Sequence, residues 1–292
     1  MKITVFTPTF NRAHLLRRLY ESLCRQSYTD FEWIVVDDGS TDSTPALLDE
    51  LAREHKIDLR SERQPNGGKH RAINRGVRLA HGELFFIVDS DDFLADNALE
   101  RVAFHYAAVR GNDEFAGVSG VRVFPNGARI GGEVAWEILD CSALDFRFLH
   151  KVRGDMAEVF RTEILRAFPF PEIEGETFCS ESLVWNRIAR SRKMRWFNEK
   201  IYIGEYLPDG LTASSVRRRR ASPEAALLNY AELMRARVPA AVRFRAGVNF
   251  WRFAFASKRG FFSKLRQAGA CSLLGFFPGM LMFFRDSFSK KR

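Results

Sequence analysis

Three carboxylates crowd into the stretch FFIVDSDD (residues 85–92), where Asp89, Asp91 and Asp92 follow directly on an apolar run. Like charges this close repel, and burying them without partners is costly. They must face water at a strand end or gather a cation among them. Mg2+ or Mn2+ suits such a place, because these ions are usually held by one or two carboxylates together with phosphate oxygens of a substrate. The same letters also describe a solvated turn that caps the next helix, and on this stretch alone the two readings stand level.

Two further stretches carry chemistry. VVDDGSTD (35–42) ends an apolar run in Asp37 and Asp38 and turns through Gly39. A carboxylate only accepts hydrogen bonds, so Asp38 suits the N3–H of uracil and not the bare N3 of cytosine. Asp42 or Ser43 would cap the helix that follows. NGGKH (66–70) opens a helical pattern with two glycines and a lysine, which together with the helix N-terminus suit an anion. It is neither a P-loop nor a dinucleotide fingerprint, since GxxxxGK[ST] and GxGxxG are both absent.

The elements that must position these groups alternate. Residues 2–7 read as a short β-branched strand, and Leu15, Leu16, Leu19 and Leu23 recur at helical spacing. EWIVVD (32–37) is a second strand, followed by a helix over 45–55 and a short strand over 57–60. Residues 66–80 place Ala72, Ile73, Gly76 and Ala80 on one helical face, and ELFFIVD (83–89) is the next strand. Such β-α-β units predict a mainly parallel sheet flanked by helices, with ligands at the carboxyl ends of the strands. Both acidic clusters fall at such an end. FAGVSGVRVF and MAEVFR read as later strands and residues 181–190 as a helix.

The chain is 292 residues long, 46% hydrophobic and 13% aromatic, which is enough for a core and for one large or two modest domains. Its four scattered cysteines contain no CxxC pair, which argues against a disulfide framework or a zinc site and fits a reducing cytosol. MKITVFTPTFNR is too short an apolar stretch for a signal peptide.

The four stretches FTPTFNR, VVDDGSTD, NGGKHRAINRGVRLAHGE and FFIVDSDD, in this order and spacing, closely resemble the family 2 glycosyltransferases of the GT-A fold over about residues 2–212. The resemblance implies an inverting transfer of a sugar, of the hexosyl or N-acetylhexosaminyl class, from a nucleotide diphosphate to an acceptor hydroxyl, in the manner of bacterial surface-polysaccharide synthesis. Carried over by position, Thr7, Pro8, Thr9, Asn11 and Arg12 belong to the nucleotide-sugar pocket and Asp38 to the base. Gly68 and Lys69 lie by the nucleotide, and Asp89-Ser90-Asp91 forms the DXD metal motif. Asp91 is the first choice as direct ligand of Mn2+ or Mg2+, with Asp89 toward ribose and sugar. A metal ion bridging this rim to the pyrophosphate is expected to compensate the acidic cluster. The family carries its general base at a helix start, commonly in Glu-Asp. Here the corresponding stretch reads Ser180-Glu181-Ser182, so Glu181 must act alone, with Glu176 the nearest rival. Four and seven residues on, Trp185 and Ile188 share its helical face.

From Arg217 onward, 17 Lys and Arg stand against three Asp and Glu, so the first 216 residues are mildly acidic within a net charge of +9. The division expected is a catalytic domain over 1–216, with a nucleotide-sugar-binding half (1–110) and an acceptor half (111–216), and a basic helical segment over 217–292. That segment holds 11 Phe and an uncharged run at 267–284. The mixture matches an interfacial membrane helix, monotopic or re-entrant, on an anionic surface. Acceptor and location follow: a glycan or lipid-linked glycan at the cytoplasmic face of a bacterial inner membrane, with no nucleic-acid partner. The rival readings are a sugar-phosphate nucleotidyltransferase, whose Gly-rich loop after the first strand is missing, and a nucleic-acid binder using RRRR (217–220), which leaves the acidic clusters unexplained.

Overall fold

The computed structural model describes residues 1–205 and 214–288. YLPDGLT at 206–212 and the terminal KKR lie outside the described residues. The chain runs β1 (Ile3–Thr9), α1 (Ala13–Cys24), β2 (Phe31–Asp37), α2 (Thr44–Arg53), β3 (Leu59–Arg63), α3 (Lys69–Leu79), β4 (Leu84–Ile87), β5 (Phe93–Leu94) and α4 (Ala98–Ala107). It continues through β6 (Phe115–Val123), β7 (Ile138–Cys141), α5 (Ala143–Phe148), β8 (Met156–Arg161), α6 (Thr162–Ala167), α7 (Glu181–Ile188) and β9 (Lys193–Ile203). The remainder is helical: α8 (Ser215–Ala221), α9 (Pro223–Arg235), α10 (Ala240–Ala254), α11 (Phe261–Ala268), a 3-10 turn (Ala270–Gly275) and α12 (Phe276–Phe288).

The strands form one sheet in the order β3-β2-β1-β4-β8-β6-β9-β5, with β7 added against β9. Strands β3, β2, β1 and β4 are mutually parallel, β8 runs against both β4 and β6, and β6 is parallel to β9. Successive side chains of a strand alternate between faces. Val5, Trp33 and Phe86 therefore enter the core shared with α1, α2 and α4, while Phe6, Ile34 and Phe85 enter the core shared with α3 and α7. Both faces are covered, and β1, β2 and β4 are buried throughout for that reason. The carboxyl ends of β1, β2 and β4 open on one rim, which carries the residues of interest.

The basic segment is built onto this body. α9 lies against α7 and gives Ala225 to the core on the α3 face. Arg187 of α7 donates to both carboxylate oxygens of Glu232 on α9, at 2.7–3.2 Å. Glu176 accepts the backbone N–H groups of Glu224 (2.7 Å) and Ala225 (2.9 Å), satisfying amides at the start of α9 that no helical partner reaches. Leu227, Ala231, Phe250, Trp251 and Ala254 form a further core between α9 and α10. The apolar run 267–284 does not form one helix. It breaks at Gly269 (φ 81°), and the two pieces meet at 110°. Among the described residues no single helix is long and apolar enough to cross a membrane.

Candidate active site

The floor of the rim is made by two loops stitched together. Asn11 sits at φ 53°, and its Oδ1 accepts the N–H of Thr41 at 2.7 Å, while its own N–H donates to Ser40 Oγ at 2.8 Å. Asp42 accepts the N–H of Thr44 (3.0 Å), the helix cap read from the sequence, and also the N–H of Ala13 (3.2 Å). The backbone N–H of Arg12 donates to Thr44 Oγ1 at 3.3 Å. The strand ends of β1 and β2 are thereby fixed relative to each other before any ligand arrives. Pro8 is buried in β1, and Thr7 turns into the core, where its hydroxyl accepts Trp33 Nε1–H at 3.0 Å. Thr9 Oγ1 is buried at the strand end without a hydrogen-bond partner among the described residues.

Asp38 is buried and already engaged. Its carboxylate accepts Gln64 Nε2–H (2.7 Å), Gly67 N–H (2.9 Å) and Gly68 N–H (2.7 Å). The glycines are thus held by the acid expected to meet the base. Gly68 has φ 94°, and a Cβ there would lie 1.9 Å from the carbonyl oxygen of Thr177, so this position requires glycine. That approach brings the start of α3 beside the loop leading into α7.

Lys69, the first residue of α3, therefore lies between two acids from distant parts of the chain. Its Nζ is 2.5 Å from Asp89 Oδ1 and 2.8 Å from Glu181 Oε1. Burial alone would lower the Lys69 pKa, but Asp89 and Glu181 overcome it and raise the value. Burial likewise opposes the charge on Asp89, yet Lys69 and Arg122 hold its carboxyl below the usual carboxylate range. Arg122 comes from β6 and stacks over Tyr202 of β9, 4.0 Å from the ring centre. The Tyr202 hydroxyl donates to Asp92 (2.7 Å) and accepts the N–H of Asp89 (3.0 Å), and Arg122 lies 3.8 Å from Asp92. Burial first and Asp89 second push Asp92 up to about 7. Asp89 is thus compensated by the chain's own cations, Lys69 and Arg122, whereas burial and like charge weigh on Asp91 and Asp92.

Asp91 differs from its neighbours. Burial and the nearby Asp89 raise its pKa, and among the described residues it joins no ion pair. Ser90, between Asp89 and Asp91, is buried. No group of three or more His, Cys, Asp or Glu side chains among the described residues is placed to hold a metal. One or two carboxylates is what a Mg2+ or Mn2+ completed by substrate phosphates needs, so Asp91, with Asp89 beside it, fits that kind of ion. Glu176, the rival base, is occupied as the cap of α9. Sequence reasoning missed Arg122, Tyr202 and Glu158. Glu158 is a buried acid of β8 pushed up to about 7 by burial, against the pull of Arg147 and Arg122.

With this geometry in hand, the similarity to known proteins can be placed. The model of the family described as glycosyl transferase family 2 matches residues 4–156. The chain belongs to that family. The family 2 domain covers the stitched loops, Asp38, Lys69 and the acidic rim, while α7 with Glu181 lies beyond the matched range. Among curated relatives, a GalNAc(5)-diNAcBac-PP-undecaprenol beta-1,3-glucosyltransferase of Campylobacter jejuni is 28% identical over 200 residues, 65% of this chain and 60% of that protein. The poly(ribitol-phosphate) beta-N-acetylglucosaminyltransferase TarS of Staphylococcus aureus is 32% identical over 105 residues, covering 35% of this chain and 18% of its own. The chain thus spans less than two thirds of these relatives. Among solved structures, TarS 1–349 with UDP-GlcNAc matches 98% of this chain and 81% of its own at TM-score 0.64 and 20% identity. A mannosyltransferase of Pyrobaculum calidifontis with GDP-Man and Mn2+ matches 98% and 84% at TM-score 0.60 and 20% identity. These likenesses establish the fold, which is the GT-A arrangement expected.

Proposed function

We propose that the chain is an inverting glycosyltransferase that moves a hexosyl or N-acetylhexosaminyl group from a nucleotide-diphospho-sugar, in first place a UDP-sugar, to a hydroxyl of a glycan or lipid-linked glycan. The reaction is a single displacement. Glu181 takes the proton from the acceptor hydroxyl as its oxygen attacks the anomeric carbon, through a transition state of oxocarbenium character. The base of the donor lies by Asp38 and Thr9, and Asp91 with Asp89 holds the divalent ion. When bound, that ion supplies positive charge to the departing diphosphate. Lys69 pairs with Glu181 and fixes its distance from the donor rim. The observation that carries this reading is the Asp89–Lys69–Glu181 bridge, which joins a candidate base to the donor-side acids through one cation. The relatives' names support a lipid-linked or polymeric surface glycan as acceptor, such as a capsule, exopolysaccharide or lipopolysaccharide. The enzyme acts at the cytoplasmic face of the inner membrane, held there by residues 217–292.

Glu181→Gln is expected to slow transfer by about 10²–10⁴-fold while donor binding survives in calorimetry. Near-normal turnover would remove Glu181 from the role. A thermal-shift panel of UDP-, GDP- and dTDP-sugars with and without Mn2+, repeated on Asp91→Asn, reads out the base and the ion. Metal-dependent stabilisation that survives in Asp91→Asn would overturn that assignment.

A further inference from the structure

α12 has two unlike sides. On one, Gly279 lies against α10, as does Gly275 at the end of the preceding 3-10 turn: a Cβ on Gly275 would come 2.5 Å from the backbone of Gly247 and Val248, and one on Gly279 2.5 Å from the Val248 carbonyl oxygen. Arg252 of α10 clamps the same side through both carboxylate oxygens of Asp286 (2.6 and 2.9 Å), and Arg220 of α8 donates to Ser287 (2.9 Å). On the other side Phe277, Leu281, Phe284 and Phe288 recur at helical spacing and all are exposed, Phe277 and Leu281 by 68% each. The preceding turn and α11 extend this surface with Leu274 (75% exposed) and Phe262 (83%). A core helix of a soluble protein has the reverse arrangement, with its bulky apolar side chains inside. An exposed apolar patch of this kind marks a contact surface.

Charge decides the occupant. From residue 258 to 288 the sequence carries Lys258, Arg259, Lys264, Arg266 and Arg285, and its single acid, Asp286, is held inward by Arg252. Arg266 and Arg285 are exposed. An apolar surface bordered by exposed cations complements an anionic lipid interface. α12 is too short to span alone, because 13 residues at about 1.5 Å each reach roughly 20 Å against a hydrocarbon core of roughly 30 Å, and α11 meets it at 110° instead of extending it. We infer that α11 and α12, and not the whole basic segment, form a monotopic membrane face that lies in the interface of an anionic bilayer. α8, α9 and α10 are the strut behind it. α9 is the helix whose first amides Glu176 accepts and whose Glu232 holds Arg187, so the lipid-facing helices and the helix bearing Glu181 belong to one packed stack. This sharpens the membrane attachment proposed above, and its orienting role rests on the transfer reaction proposed there.

The test is flotation of the full chain with phosphatidylcholine vesicles, with and without phosphatidylglycerol. The wild type should float with the anionic vesicles and more weakly without phosphatidylglycerol. Phe262→Ser, Leu274→Ser, Phe277→Ser and Leu281→Ser combined should reduce flotation by about tenfold or more, with thermal stability little changed, because all four side chains are mostly exposed. Wild-type protein that stays at the bottom, or a combined variant that floats undiminished, overturns the inference. So does a wild-type dimer that the variant dissociates without any vesicle binding, which assigns the face to a second copy. Flotation needs no catalysis and is therefore decided whatever becomes of the transferase reading. Loss of transfer to a vesicle-borne acceptor, with a water-soluble acceptor still used, would add the orienting role.

Discussion

The rim around Lys69 and the outer face of α12 both depart from the rule that charge lies outside and oil inside, and they depart in opposite directions. At the rim, Asp89, Asp92, Lys69 and Arg122 are brought inward, each with an opposite charge or a hydroxyl beside it. On α12, large apolar side chains are put outward and left exposed among the described residues. These four groups are held as pairs and would be damaged by removing either partner. The face is largely exposed and is expected to tolerate replacement. A buried charge network and an exposed apolar surface can both mark function, but only the first is also structural.

Four substitutions sharpen or break that contrast, beyond the loss of turnover expected for Glu181→Gln. Lys69→Met leaves Asp89 and Glu181 without their shared cation, and a loss on the order of 3 kcal/mol in denaturant unfolding is expected. A stability equal to wild type would mean that solvent already screens the bridge. Gly279→Leu should cost about 1–3 kcal/mol, because its side chain must enter the α10 backbone. Leu281→Ser, two residues away on the opposite side, should leave the melting temperature where it was; equal effects at the two positions would erase the distinction between the sides of α12. Asp38→Ala frees the amides of Gly67 and Gly68, with an expected cost of about 1–2 kcal/mol and weaker donor binding in calorimetry.

The smallest effect concerns pH. Glu158 is pushed up to about 7, above the ordinary range of an unfolded glutamate, so between roughly pH 4.5 and 7 the folded chain holds a proton that the unfolded chain has lost. Its contribution to stability therefore falls as pH rises through that window. Glu158→Gln should flatten this part of the curve, gaining on the order of 1 kcal/mol on wild type between pH 5 and pH 8. Parallel curves in melts across that range would show that Arg147 and Arg122 already hold Glu158 ionised.

Much of the first half was legible because its strands are short apolar runs ended by turn residues. Residues 32–37, 66–80 and 83–89 match β2, α3 and β4 to within a few positions, and MAEVFR is β8 without adjustment. What was not legible has a common cause. β9 reads KMRWFNEKIYI, with charged residues on a strand flanked by β6, β7 and β5, so no simple alternation marks it. Arg122 and Tyr202 meet Asp92 only through the pairing of β6 with β9, a contact between residues 80 apart that one-dimensional spacing cannot reveal. Lys69 was legible as a charge beside a nucleotide, but its place against Glu181 depends on the close approach of Gly68 to Thr177. In the basic segment, Gly275 and Gly279 are points of close contact with α10, a meaning that only packing supplies.

Glu176 gives the C-terminal helices a hold on the body that composition conceals. The sequence changes character at Arg217, and that is where a protein chemist wanting better-behaved material would cut. Cutting there would strip the partner amides from a buried carboxylate five residues before Glu181 and leave Arg187 without Glu232. The trimmed chain would lose contacts that hold its own α7, so the exposed apolar surface is better altered at Phe262 or Leu274 than removed with the segment.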